Sequence, residues 1–372
     1  MEKEFQDFNL MIEKSESSFL FWLRKNKNLI IGITTIILII FMAFIVDFPR
    51  LISKMITIGI LGTILFIITY TIAFLIRAYK LKLIFRNLNL KVKYSTCYFS
   101  LGISFVINDL TPGKVGDIAK IFFIKDREDI KLSDSVCSIA IERIFDLILL
   151  FSISIFALIY LYISNINDIN EKILLGQSIQ FYLIFGAIII IGILILLILI
   201  IYKTDFIVRI VSKVSPKLSN LIKRFLKNFK NGIRNFKNNK KGLLNIILLG
   251  FPTWIIDAVI AIFFFYLLGY RLNIIIIILA TLLTFFSKTF PITPGGWIVS
   301  ENIGALFVFI FYAPELQFLE ILSIFIIDHS FRSAYLYFFG GYSIFHYNFK
   351  LRDLEKLNNS QINIQNNSNK II

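Results

Sequence analysis

Apolar residues run through this chain in long stretches, separated by short polar or basic segments. Residues 29–46 are apolar throughout. Residues 54–77, 136–163, 179–202, 243–269 and 318–346 are mainly apolar and of similar or greater length. About 20 apolar residues cross the hydrocarbon of a bilayer as a helix, so each stretch reads as a membrane span. Residues 29–46 could be a signal sequence, but the region before them is long and no small-x-small cleavage site follows. Four further apolar pieces form two broken pairs, 95–110 with 115–124 and 274–290 with 297–313. The members of the first pair are too short for a comfortable span.

The same tripeptide interrupts each pair: Thr111-Pro112-Gly113 in the first and Thr293-Pro294-Gly295, followed by Gly296, in the second. Proline and glycine break a helix. In hydrocarbon the freed N–H and C=O groups cost several kcal/mol each, so such a break survives only inside protein or beside a wet cavity. The pairs therefore read as re-entrant hairpins with Thr-Pro-Gly tips. For the first pair, a tilted short helix and a surface loop is the other reading. After each tip comes an acid, Asp117 or Glu301, and then a longer apolar helix with an arginine, Arg143 or Arg332.

At 57% hydrophobic residues and a mean hydropathy of +0.78, the 372-residue chain is no soluble domain. The net charge of +15 then belongs to cytoplasmic loops and anionic lipid surfaces, with no nucleic-acid partner implied. Lys and Arg concentrate in 80–93, in 203–241 and in the tail at Lys350, Arg352 and Lys356. Together with the N-terminus these segments are placed inside, and the turns at 47–50, 164–178 and 314–317 outside. That scheme closes only if the first broken pair enters from the cytoplasm and the second from outside, which makes an inverted-topology repeat. Such repeats put discontinuous helices and their binding site near the bilayer midplane. The fold expected is an all-α polytopic membrane protein with about seven spanning helices plus two re-entrant helical hairpins. Residues 1–28 form a cytoplasmic segment, 29–346 the transmembrane domain and 347–372 a disordered cytoplasmic tail; the membrane is the plasma membrane.

Intramembrane charges are costly and mark function by default. Glu142, Arg143 and Asp146 lie near one face of a helix, and Asp328 and Arg332 are an i,i+4 pair. Structural salt bridges are one reading. The other is a phosphate held by the two arginines, whose planar forks suit it. Asp257 is a lone mid-helix acid that either pairs with Lys288 or titrates. Arg77 reads as an interfacial anchor, with a headgroup contact as the other reading. Cys97 and Cys137 show no CxxC spacing and read as core residues. With only His329 and His346 in the chain, a multi-histidine metal site is excluded. No serine, cysteine or histidine constellation suggests a catalytic residue, and no cofactor or metal is implied.

Several groups of residues resemble the lysylphosphatidylglycerol synthase transmembrane-region family, also called the flippase-like domain family. They are Asn108 with Pro112-Gly113, Gly116-Asp117 and Lys120; then Glu142-Arg143 with Asp146; then Pro291, Pro294-Gly295-Gly296 and Glu301; then Arg332. The resemblance covers about residues 30–345. Lys120 stands where arginine is more usual, and Trp297-Ile298 where the family tends to have a small apolar residue and a glycine. The resemblance implies a module that moves or handles phospholipid or polyprenyl-linked lipid. It makes Asn108, Pro112, Gly113, Gly116, Asp117, Lys120, Glu142, Arg143, Asp146, Pro294, Gly295, Gly296, Glu301, Asp328 and Arg332 candidate headgroup contacts. Membrane lipids with anionic headgroups are the implied partners. A membrane-embedded lipid transferase, or a non-catalytic partner of a lipid-modifying or glycosyltransferase enzyme, remain the other readings. Longer relatives carry a soluble aminoacyl-transferase domain that 347–372 cannot hold, so lipid aminoacylation by this chain alone is not expected.

The basic segment yields a test. Ser215-Pro216 is an N-cap and first-turn proline, and Leu218, Leu221, Ile222, Phe225, Phe229, Ile233 and Phe236 recur at helical spacing. This describes a basic amphipathic helix on an anionic leaflet; a calmodulin-like target is the weaker alternative. A peptide of residues 215–236 is expected to bind anionic liposomes in co-sedimentation, and to let go as salt shortens the screening length to about 3 Å at 1 M. Salt-independent binding would remove the electrostatic part of this reading.

Overall fold

The computed structural model describes residues 48–111, 113–163, 173–174, 177–178, 192, 230, 234–235, 239–289, 293–313 and 315–349. The expectations for 1–46, for the span 179–202, for most of the basic segment 203–241 and for the tail from 350 fall outside the described residues, as does Pro112. The chain divides into two compact units, Met1–Ile52 and Ser53–Ile372, and the helix packing is that of the second. Apart from connecting turns and a two-residue antiparallel ladder, Ile173–Leu174 with Gln177–Ser178, the described residues are helical. In order the helices are α1 (Phe48–Asn87), α2 (Tyr94–Leu110), α3 (Val115–Glu128), α4 (Leu132–Ile163), α5 (Lys240–Leu267), α6 (Ile274–Ser287), α7 (Val299–Tyr312) and α8 (Phe318–His346), with a 3-10 turn at Pro294–Gly296.

Local chemistry sets several of these ends. Asn239 caps α5 by accepting from the Gly242 amide at 2.9 Å, and Asn273 caps α6 through Ile275 at 2.9 Å. Such caps satisfy amides that have no partner in the first turn. α3 carries Asp117 in its first turn and Lys125 and Arg127 in its last, which matches the helix dipole. α4 begins at Leu132, before the start expected at 136, with the Asp134 and Ser135 amides bonded to the Lys131 carbonyl at 3.0 and 3.1 Å; the Ser135 hydroxyl donates to the Ile121 carbonyl at 2.9 Å and ties this end to α3.

By length and composition, four stretches among the described residues can cross a bilayer: Pro49–Asn87, Leu132–Leu161, Lys240–Leu267 and Pro294–Tyr312. The last is a special case. Its helix α7 has 14 residues, about 21 Å at 1.5 Å per residue, against about 30 Å of hydrocarbon. α8, with 29 residues, is long enough but carries charge. Large side chains cover the outward faces, with Ile60 and Phe338 both 82% exposed. An apolar exterior of this kind fits a lipid solvent. The protein is a multi-pass membrane protein.

α5 runs antiparallel to α1 and to α8. Asn239 donates to Asn87 at 2.6 Å, and farther along Phe264 meets Phe66 and Phe331, with ring centroids 5.8 and 5.1 Å apart. One apolar cluster joins α1, α4 and α5 through Leu83, Ile84, Cys137, Ile141 and Ile246; another joins α4 to α6 through Leu150, Phe151 and Leu282. Both cysteines are free and buried.

α2 and α3 form one hairpin, α6 and α7 the other. They lie on opposite halves of α8. α2 packs on the C-terminal half, where Phe99 faces Tyr347 at 5.1 Å and a Cβ on Gly340 would sit 2.6 Å from the Gly102 carbonyl. α7 packs on the N-terminal half, with Phe309 5.8 Å from Phe318. The end of α2 and the start of α7 meet at His329, near the middle of α8. Two half-length hairpins thus approach tip to tip.

Ion pairs tie the long helices together at this level. The Arg332 Nε donates to both Asp328 oxygens at 2.9 and 3.0 Å, and its Nη1 and Nη2 donate to the Asp257 carboxylate and carbonyl at 2.8 and 2.9 Å. Arg77 pairs with the other Asp257 oxygen. Asp257 is therefore held by Arg77 and Arg332 and makes no ion pair with Lys288, and Arg77 is an inward-facing partner rather than an interfacial anchor. Breaking a buried pair from one side costs about 3–5 kcal/mol. Arg332→Gln is expected to lose that much in equilibrium unfolding in detergent, while Asp328→Asn combined with Arg332→Gln recovers more than half. Arg332→Lys, lacking the fork, should fall between. An Arg332→Gln protein as stable as the parent would show that the network does not hold these helices.

Candidate functional site

Each tip is made self-sufficient by polar side chains. In the first, the Asn108 Oδ1 accepts from the Gly116 amide at 2.8 Å and Thr111 donates through its hydroxyl to the Ile107 carbonyl at 2.6 Å. Gly116 has no room for a side chain, since a Cβ would lie 1.9 Å from the Ser104 carbonyl. In the second, the Thr293 hydroxyl donates to the Trp297 carbonyl at 2.8 Å, and the Gly296 and Trp297 amides bond back to Thr293 and Pro294 at 3.1 Å each. Gly295 (φ +61°) lies against Asp109 of the first hairpin, 2.6 Å from its Oδ1 were a Cβ present. Backbone strain sits at both tips: Lys114 has φ 59° and Ile298 φ 73°. A β-branched residue at positive φ is a true outlier. Ile298 stands where the family resemblance leads one to expect glycine, and this backbone is glycine-like.

Around the first tip the acids and bases pair across helices. Asp117 accepts from Arg143 at 2.7 Å, Ser104 at 3.0 Å and Asn108 at 3.2 Å. Lys120 donates to Glu142 at 2.6 Å, with both side chains buried. Asp146 is bound by Lys80, and Arg143 reaches it only at 3.9 Å. The Arg143 side chain is 35% exposed, the freest charge of this group. Around the second tip, Glu301 contacts the His329 Nδ1 and accepts from Ser300 at 3.0 Å, the His329 Nε2 lies 3.5 Å from Asp109, and the Trp297 indole stacks on the imidazole at 3.9 Å and 14°.

Between the tips lies a cavity of about 150 Å³. Of the candidate headgroup contacts, Asn108, Glu142, Arg143, Asp146, Gly295 and Arg332 line it, and so do Arg77, Asp257 and Lys288, which the sequence marks as charges. Gly113, Gly116, Asp117, Lys120, Pro294, Gly296, Glu301 and Asp328 are outside the lining, and several of them position residues within it. Sequence reasoning missed Tyr70, Lys80, Asp109, Lys114, Trp254 and His329, all of which line the cavity. The available signals were weak ones: Asp109 follows Asn108, Lys114 follows the first Pro-Gly, and His329 follows Asp328.

The lining holds six cations, Arg77, Lys80, Lys114, Arg143, Lys288 and Arg332, against four acids, Asp109, Glu142, Asp146 and Asp257. With the groups that pair with this lining from just behind it, Lys120, Asp117, Glu301 and Asp328, the cluster holds seven cations and seven acids among the described residues, besides His329. Lys114 and Lys288 make no hydrogen bond or ion pair among the described residues; Lys288 stands 5.8 Å from the Phe285 ring centre. They come from the two different tips. Three buried donors on lining residues also lack an acceptor: Arg77 Nη1, Arg143 Nε and Trp254 Nε1. One acceptor on the lining, the Asp109 Oδ2, also lacks a donor; a wall that, among the described residues, has more free donors than free acceptors, and two lysines without an acid, suits a ligand rich in acceptor oxygens.

Comparison with known proteins agrees with this description. Residues 29–340 match the model of the lysylphosphatidylglycerol synthase TM region family. The UPF0104 membrane protein MJ1078 of Methanocaldococcus jannaschii is 32% identical over 195 residues, covering 52% of this chain and 75% of that protein. The UPF0104 membrane protein PH1989 of Pyrococcus horikoshii is 25% identical over 306 residues, covering 77% of this chain and 87% of that protein. No solved structure gives a significant match. With most of its length matched, the chain belongs to the lysylphosphatidylglycerol synthase transmembrane-region family.

Proposed function

We propose that the protein binds the headgroup of an anionic phospholipid or polyprenyl-phosphate-linked lipid between its hairpin tips and moves it across the plasma membrane, with both termini cytoplasmic. The observation that carries this reading is that Lys114 and Lys288, with no hydrogen bond or ion pair among the described residues, face one cavity from the two hairpins. A phosphate offers only acceptors and negative charge, and charge-assisted hydrogen bonds are the strong ones. Arg143, half-free beside them, adds a donor. Arg332 is bound by two acids and holds the wall. Hydrophobic space adjoins the cavity. An apolar groove of about 540 Å³ runs between α1 and α8 past Phe66, Phe331 and Tyr335. Tyr335 meets the cavity-lining Tyr70 at 5.0 Å, so a headgroup and its hydrocarbon can lie on either side of that ring pair. The opposed hairpins support the transport half of the reading, because such breaks flank binding sites in transporters with inverted repeats.

Purified protein in liposomes, with a fluorescent anionic phospholipid and a dithionite readout of leaflet exposure, tests this. The parent is expected to exchange the anionic lipid between leaflets faster than protein-free vesicles. Hydrogen bonds to charged groups are worth about 1.5–3 kcal/mol, so Lys114→Gln with Lys288→Gln is expected to slow exchange by tenfold or more. A double variant as fast as the parent would overturn the headgroup site, and a parent no faster than empty vesicles would overturn translocation.

A further inference from the structure

His329 stands apart from the anion chemistry of the cavity. It is 4% exposed on α8, at the level where the hairpins meet. Glu301 of the second hairpin contacts its Nδ1, and Asp109 of the first lies 3.5 Å from its Nε2. One imidazole thus bridges an acid from each hairpin. The other charged or titratable groups facing this trio are few. Lys288, just after α6, acts electrostatically on Glu301 and Asp109; Asp328, Arg332 and Tyr337 come from α8 itself. Trp297 closes the site over the ring.

The inventory of donors makes this bridge depend on a proton. A neutral imidazole has one N–H and donates to one acid; an imidazolium donates to both. Joining the two hairpin acids through His329 therefore takes one proton more than holding either acid alone. We propose that His329, Glu301 and Asp109 form a proton-binding site whose occupancy is linked to contact between the hairpin tips. A proton from water adds to the ring nitrogen as the tips meet, and the same proton leaves to water as they part. Linkage is reciprocal: a ligand that binds one arrangement favours it, and that arrangement favours the ligand. If the cavity opens to a lipid by parting its tips, opening releases a proton, and a proton gradient can drive the cycle. That last step rests on the translocation reading; the link between proton and tips does not.

The chain has three tryptophans, and Trp297 lies on the imidazole, so its emission reports the charge of the ring. In protein carrying Trp22→Phe and Trp254→Phe, reconstituted in nanodiscs, emission is expected to fall on acidification in a single transition, as the imidazole gains its charge. His329→Gln should abolish the transition. Glu301→Gln and Asp109→Asn should each move it about one pH unit or more lower, because an opposite charge nearby favours the protonated ring. These two decide the matter if His329→Gln fails to fold. Spin labels at Leu110→Cys and Leu306→Cys, on a Cys97→Ser, Cys137→Ser background, should gain a longer distance above the same transition, and His329→Gln should make the distance independent of pH. A flat parent titration, a transition kept in His329→Gln, midpoints unmoved by both acid variants, or distances that ignore pH would each overturn the proposal. Neither readout needs lipid movement. A failure of liposome exchange with both readouts intact would therefore remove the translocation reading alone.

Discussion

A peptide group without a hydrogen-bond partner costs several kcal/mol in hydrocarbon, and both hairpin tips are built around that cost. Each tip turns through proline and glycine, which a helix cannot absorb, and each recovers the lost bonds with a side chain. Asn108 reaches across to the amide of Gly116, and Thr293 closes on the carbonyl of Trp297. The tight glycine contacts follow from this requirement, because Gly116 must lie on the Ser104 carbonyl for Asn108 to reach its amide. Once the tips are satisfied internally they can stop half-way and face one another. The polar cavity exists because they stop there.

The charges around that cavity fall into two kinds. Arginines are used as ties. Arg332 donates to Asp328 and to two atoms of Asp257, and the 5.3 and 5.4 Å approaches of its guanidinium to the Tyr70 and Phe285 rings fix its plane. Lys120 and Lys80 also serve as ties, each on one acid. Lys114 and Lys288 have no such acid among the described residues, and both sit at breaks in the chain. A flexible stem carrying a point charge at a tip can follow a ligand that moves, whereas a guanidinium clamped by two carboxylates on two helices cannot.

Much of the architecture is legible in the sequence because it is written locally. The repeated Thr-Pro-Gly, the acid after each tip and the arginine on each following helix mark the hairpins and the Asp117–Arg143 and Asp328–Arg332 neighbourhoods. The rest depends on which distant residues meet. Asp257 has no reason in sequence to prefer Arg77 and Arg332 over Lys288, since all are remote from it along the chain. Arg77 resembles an anchor because it closes an apolar run; the antiparallel packing of α1 on α5 turns it inward. His329 carries no role in sequence, where the two histidines serve only to exclude a multi-histidine metal site. Its partners are carboxylates, and Asp109 lies on another hairpin. Ile298 is marked in sequence as a departure from the family, and its φ of 73° gives the departure a physical meaning: a glycine position filled by a side chain that strains it.

The junction between the hairpins is held by polar contacts. Along α8 the hairpins are held by aromatic and glycine contacts over several turns, as at Phe99 with Tyr347 and Phe309 with Phe318. Where they meet one another, the contacts are a glycine against Asp109 and two acids against one imidazole. No apolar cluster bridges the tips among the described residues. Apolar packing is dense and resists displacement, while a polar contact in a wet cavity can exchange protein partners for water at modest net cost. A fold that glues its hairpins to a long helix but joins them to each other by polar atoms has placed a polar seam beside its polar cavity. Motion of the tips then disturbs the seam and leaves the packing on α8 in place.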